Sequence, residues 1–357
     1  HNDGSIFLTG QVENDASFGS TSTTGFDKDA YVASLGPSGD WNWAKRFIGN
    51  DVDGGYSIIS LGDAVIAGGD HWGNLEIDGN ELSGGGGFLS SMNMTSGELN
   101  WLTDMDGTPY AMESDSSENL YIAGVYSGAK LFGNEVLTSE GDLDIFLGKL
   151  SADSTWIWAI SAGSTDWDSV GDLAVNGAGQ VIVIGTYGNQ RDHSDMVIGN
   201  TTLTSHEYSD VYLATASTNG NWIGAINGYS DSEENGLGIA VDGNDEVIAV
   251  GYFAGLVRDS LMFYDTNLDT HLGGIEHMFA WKFMWDSDGD GIAAIYDNCP
   301  QGVTDWTSDW QTDHDSDGCF DPTEDDDDDG DGLSDLIDTC SKGYNLWTST
   351  PQTDPNG

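Results

Sequence analysis

Positive charge is what this chain has least of. Its 357 residues include nine Lys and Arg against 61 Asp and Glu, a formal charge of −52 at pH 7. That imbalance excludes nucleic acid and anionic membrane surfaces as partners and makes cations the natural ones. Long apolar runs are missing as well: nothing approaches the roughly 20 residues of a membrane span, so the chain has no membrane span, and no basic-plus-apolar leader opens it. Extended 3.6-residue periodicity is absent, which excludes a helical fold. Catalytic motifs are also lacking. There is no G-x-S-x-G elbow, H-E-x-x-H pair or glycine-rich phosphate loop, and the seven His are scattered without metal-binding spacing.

What is present is aromatic and glycine-rich. Thirteen Trp, thirteen Tyr and twelve Phe exclude a disordered acidic polymer, and 50 Gly against six Pro point to short strands and tight turns. A repeat organises them. The strings IFLTG, VIAG, YIAG, VIVIG and VIAVG end at Gly10, Gly68, Gly124, Gly185 and Gly251, in steps of 58, 56, 61 and 66 residues. Each precedes a second apolar run: DAYVASL at Asp29, GFLSSM at Gly87, DIFLGKL at Asp144, DVYLATA at Asp210 and HMFAWKF at His277. A third run (WNWAK, LNWLT, WIWAI, NWIGAI) and a fourth (YSIISLG, PYAMESD, VGDLAVNG, LGIAVDG) complete the unit. Four short strands per unit predict an all-β protein, a β-propeller of at least five four-stranded blades over residues 1–285. Read from the innermost strand, the first and last blades are incomplete within the chain, which then looks like part of a longer protein.

The strings DIFLGKL, WNWAK and GIAVDGNDEVIAVGYF resemble SBBP-type β-propeller repeats over about residues 3–283. The resemblance implies a propeller and an extracellular setting, and no particular reaction. GGGGF at Gly84 to Phe88, and His277 in the last unit, depart from the Asp that opens this strand elsewhere.

At Asp286 the composition changes to aspartate. Pairs 41 residues apart (Asp286 and Asp327, Cys299 and Cys340, Trp306 and Trp347, Asp313 and Asp354) give residues 286–357 a register of their own. Three stretches fit D-x-D-x-D-G with a carboxylate at position twelve, a spacing that wraps alternating oxygens around one calcium ion. The first supplies Asp286, Asp288, Asp290, the carbonyl of Ile292 and Asp297, with Ala294 at position nine. The second supplies Asp313, Asp315, Asp317, the carbonyl of Cys319, Asp321 and Glu324. The third supplies Asp327, Asp329, Asp331, the carbonyl of Leu333, Asp335 and Asp338. About three Ca2+ sites are therefore expected, the first one ligand short; a solvated acidic tail is the alternative.

DSDGDGIAAIYDNCP, a loop followed by Cys, is similar to thrombospondin type 3 repeats, whose aspartate-rich loops wrap calcium and are stapled by disulfides. The resemblance implies an irregular, calcium-wrapped segment over 286–357. Cys299 and Cys319 flank one insert and are the expected disulfide pair, with Cys340 paired beyond the chain; three free thiols are the alternative. A disulfide implies an oxidising compartment.

These features lead to an expected secreted or cell-surface protein without enzymatic activity. It would be a propeller module for display or binding on a calcium-stabilised stalk, serving adhesion or envelope and filament assembly. Its partners would be calcium, other copies of itself, envelope proteins or glycans. The alternative is a propeller enzyme acting on extracellular polysaccharide, with Arg191, Asp192 and His193 in the GNQRDHSDM turn as its best candidates. Acids in the turns before the innermost strands could rim one face, and the repeated Trp are expected to pack between blades rather than to hold sugar.

Overall fold

A computed structural model describes residues 1–188, 194–206, 208–230, 233–243, 246–255, 260–263, 266–269 and 275–284. Within 299–342 it describes 299, 302–303, 307–309, 311–315, 318–325, 327–328, 334–337 and 341–342. Among the described residues every regular element is a strand.

The strands form successive antiparallel sheets. Sheet one contains Ile6–Glu13, Lys28–Leu35 and Trp41–Arg46; sheet two contains Gly54–Leu61, Ala64–His71, Gly86–Asn93 and Leu99–Met105. Sheet three contains Thr108–Ser114, Leu120–Tyr126, Asp144–Leu150 and Trp156–Ala162. Sheet four contains Ser169–Val175, Val181–Tyr187, Asp210–Ala216 and Trp222–Tyr229, and its edge continues into Ser260–Phe263 and Thr266–Asp269. Sheet five contains Glu234–Val241, Glu246–Gly255 and Ile275–Met284. The first strands of neighbouring sheets lie side by side in chain order: Ile6–Glu13 by Gly54–Leu61, then Thr108–Ser114, then Ser169–Val175. Gly171 continues the series, because a Cβ there would come within 2.2 Å of the Gly236 carbonyl.

Why these segments become inner strands is clear from DIFLGKL and VIVIG. A strand covered on both faces needs an almost continuous apolar run, and Val181–Tyr187 and Asp210–Ala216 are buried along their whole length. Side chains from one sheet pack face to face on the next. Val32 and Trp43 of sheet one join Val65 and Phe88 of sheet two, and Ile145 and Leu147 of sheet three join Val183 and Tyr212 of sheet four.

Tryptophan fastens sheet one to sheet two and sheet three to sheet four. Trp43 donates its indole N–H to the Met94 carbonyl (3.0 Å), and Trp158 to the Thr218 carbonyl (3.1 Å), both in the turn before the last strand of the following sheet. Gly97 and Gly220, at φ of +69° and +77°, close those turns against the indole faces. The same position in sheet two is Trp101, which lines a groove together with Ser154, a residue at φ of +62°.

The chain divides into two compact units, 1–240 with 249–280, and 241–248 with 281–357. The second contains the acidic segment.

Candidate metal centre

The acidic segment has too few apolar residues for a conventional core, so covalent and polar bonds must order it. Cys299 and Cys319 form a disulfide with Cα atoms 5.0 Å apart across a separation of 20 residues. Closing a loop of this length stabilises the folded state by about 3 kcal/mol in the chain-entropy account.

The second aspartate loop folds around its own carboxylates. Asp313, fully buried, accepts the Gly318 N–H (3.2 Å) and the Ser308 hydroxyl, while Gly318 turns the chain at φ of +89°. This is the glycine at position six, where a non-glycine residue would be strained. Asp321 accepts the His314 N–H at 3.0 Å, and Asp335 accepts the Asp328 N–H at 3.1 Å, each reaching back seven residues. In both loops, therefore, the position-nine carboxylate ties down the position-two amide. Glu324 accepts the Phe320 N–H at 3.4 Å.

Three carboxylates converge between the loops. Oxygens of Asp321, Asp325 and Asp328 lie within 4.8 Å of one another. The Lys342 ammonium reaches both Asp321 and Asp328, the latter at 3.3 Å. Its hydrogen bond to Asp321 is the leading cause that raises the Lys342 pKa. Burial, then Asp321 and Asp335, pushes Asp328 up to about 6. One Asp328 oxygen, Oδ1, is buried with no hydrogen-bond partner. A hard, oxygen-preferring cation fits this donor set, since it would neutralise like charges and fill the open coordination of Asp328.

Among the residues expected as ligands, Asp313, Asp315, Cys319, Asp321, Glu324, Asp327 and Asp335 are described, and Asp321 alone belongs to the converging group. Asp286, Asp288, Asp290, Ile292, Asp297, Asp317, Asp329, Asp331, Leu333 and Asp338 lie outside the described residues, as do Cys340 and the turn residues Arg191, Asp192 and His193. Asp325, Asp328 and Lys342 were not anticipated. The signal for the first two is the unbroken Asp325 to Asp329 run, which holds more carboxylates than one loop register uses.

A second polar feature lies where the sheet repeat breaks. Gly85 and Gly86, with no side chains, help open a groove of about 540 Å3 lined by Trp101, Asp104, Asp106, Lys130 and Trp156. Asp106 accepts the Leu131 N–H at 3.1 Å and faces Lys130 at 3.5 Å; Asp104 lies 3.2 Å from His71 Nε2.

No family model matches this chain, and no curated protein does. Among solved structures it is similar to BamB from Moraxella catarrhalis, at 13% identity and a TM-score of 0.23, over 69% of this chain and 92% of that one. The fold assignment rests on the strand pairing described above.

Proposed function

We propose that the chain is a secreted or cell-surface binding protein in which the five sheets are blades of a β-propeller and the aspartate-rich segment is ordered by calcium. The observation that carries this reading is a disulfide-closed segment in which Asp321, Asp325 and Asp328 converge. Uncompensated, such carboxylates repel; a bound cation turns that repulsion into folding free energy. Asp321 and Asp328 would hold the ion with Asp325, and Lys342 would compete for the same oxygens. The disulfide supports an oxidising compartment, and the resemblance to SBBP and thrombospondin type 3 repeats supports a surface role in adhesion or assembly. The groove at Trp101 and Trp156 is the face for a neutral glycan, because a charge of −52 disfavours an anionic one.

Calorimetric titration of the chelator-treated chain with CaCl2 tests the reading. Wild type binds calcium, and Asp328→Asn weakens one site at least tenfold; the absence of calcium binding would refute it. A second reading, polysaccharide cleavage, rests on Asp104 and Asp106 in the groove. Turnover of a polysaccharide that is lost in Asp104→Asn would select it over simple binding.

A further inference from the structure

Buried acids recur between the sheets. Asp29 is matched with Asp53, Asp144 with Asp168, and Asp210 with Glu234, and all six are at most 2% exposed. The pairs are geometrically equivalent. The second acid of each donates its N–H, at 2.8 Å, to the carbonyl just before the first: Asp53 to Lys28, Asp168 to Leu143, Glu234 to Ser209. Between sheets two and three both acids are replaced together, by Gly87 and Gly107, whose backbones approach so closely that a Cβ on Gly87 would meet the Gly107 carbonyl at 1.9 Å.

The three pairs are neutralised differently. Asp29 holds the Arg46 guanidinium and the Gly49 N–H. Asp144 spends its oxygens on the Glu140 and Gly141 N–H groups, and Asp168 accepts from Ser164 N, Ser164 Oγ and Gly188 N. At the third pair, Glu234 accepts from Ser230 N and Oγ, and Asp210 Oδ2 accepts from His206 N at 2.7 Å. Asp210 Oδ1 is buried and has no hydrogen-bond partner. Among the described residues no arginine fills this junction: Arg46 pairs across from Tyr31, whereas Asn227 pairs across from the equivalent Tyr212, and its amide donates to Tyr187 and Thr204. Among the described residues the basic group beside it is His206, whose Nδ1 is 3.8 Å from Asp210 Oδ2 and whose ring stacks on Tyr229.

Two adjacent carboxyl groups fully removed from water need donors on every oxygen, as at the second junction, or a compensating positive charge. Arg46 provides it at the first junction. We propose that a hard divalent cation of the calcium type provides it at the third, held by Asp210 Oδ1, the Glu234 carboxylate and Ser230 Oγ. This site is built from residues outside the acidic segment and does not depend on calcium binding there.

The test uses the full chain, stripped with chelator and titrated with CaCl2, and with TbCl3 as a luminescent probe excited through tyrosine. Wild type should bind one more ion than Asp210→Asn/Glu234→Gln, and the variant should lose the terbium emission sensitised near Tyr187 and Tyr212. Asp328→Asn should keep this ion, which separates the two sites. Calcium should also raise the melting temperature of the sheet unit in wild type and not in the double variant. If the double variant fails to fold by circular dichroism, Glu234→Gln alone should weaken the same equivalent at least tenfold. Unchanged stoichiometry in the variants overturns the proposal. So does a wild-type sheet unit whose melting temperature follows pH but not calcium, the behaviour of two carboxyls sharing a proton.

Discussion

Asp168 is a carboxyl group that the fold makes reluctant to ionise. Burial, outweighing its hydrogen bonds from Ser164 and Gly188, pushes it up to about 7 from 3.8. A raised acid binds its proton more tightly in the folded chain. Its stabilisation is complete below about pH 4 and is lost as pH rises towards 7, with a ceiling of about 4 kcal/mol. Asn keeps an acceptor and cannot ionise. Asp168→Asn should therefore cost less stability at pH 8 than at pH 5, read from urea midpoints at the two values; an equal cost would show that Asp168 ionises freely in the folded chain. Asp53, buried beside Asp29, is raised for the same leading reason and should behave in the same direction. These pairs were legible in part: the Asp opening DAYVASL, DIFLGKL and DVYLATA was visible as a repeat, but its partner lies some 24 residues on, where a turn meets the next sheet's first strand, and looks like an ordinary solvated acid.

Between elements, the tryptophan contacts give sharper expectations. Gly97 combines a left-handed backbone with an indole 2.6 Å from where a Cβ would sit, whereas Gly39, at φ of +85°, faces open space. Gly39→Ala should cost about 1 kcal/mol through backbone strain alone, and Gly97→Ala about 2–4 kcal/mol because overpacking adds to it. Equal denaturation midpoints for the two variants would remove Trp43 as a fastener. The packing role expected for these Trp agrees with Trp43 and Trp158, whereas Trp101 and Trp156 also line a groove, because Gly85 and Gly86 leave space there. Four regular strands per unit were readable because inner strands need continuous apolar runs. The small hairpins inserted before the second runs, such as Ala129–Phe132 with Glu135–Thr138 and Met196–Ile198 with Thr201–Leu203, were not. Three or four residues are too few for a visible period, and only the recurring Gly-Asn of FGNEV and IGNTT marked them.

For the whole molecule, charge is the dominant quantity. The disulfide shortens the loop of the acidic segment, and Cys299→Ser/Cys319→Ser should destabilise that segment by about 3 kcal/mol while leaving the sheet unit's melting unchanged. A parallel loss in the sheets would tie the two units' stabilities together. Loop spacing pointed to Asp321 as a ligand, but a linear register could not place it beside Asp325, Asp328 and Lys342, since that meeting depends on how consecutive loops stack. The central claim is that calcium orders the aspartate-rich segment, and small-angle scattering with limited proteolysis, in calcium and then in excess chelator, tests it most directly. Chelation should increase the radius of gyration and open cleavage sites between Asp286 and Asp338, with the β-signal of circular dichroism retained. Unchanged scattering and an unchanged cleavage pattern after calcium removal would contradict it.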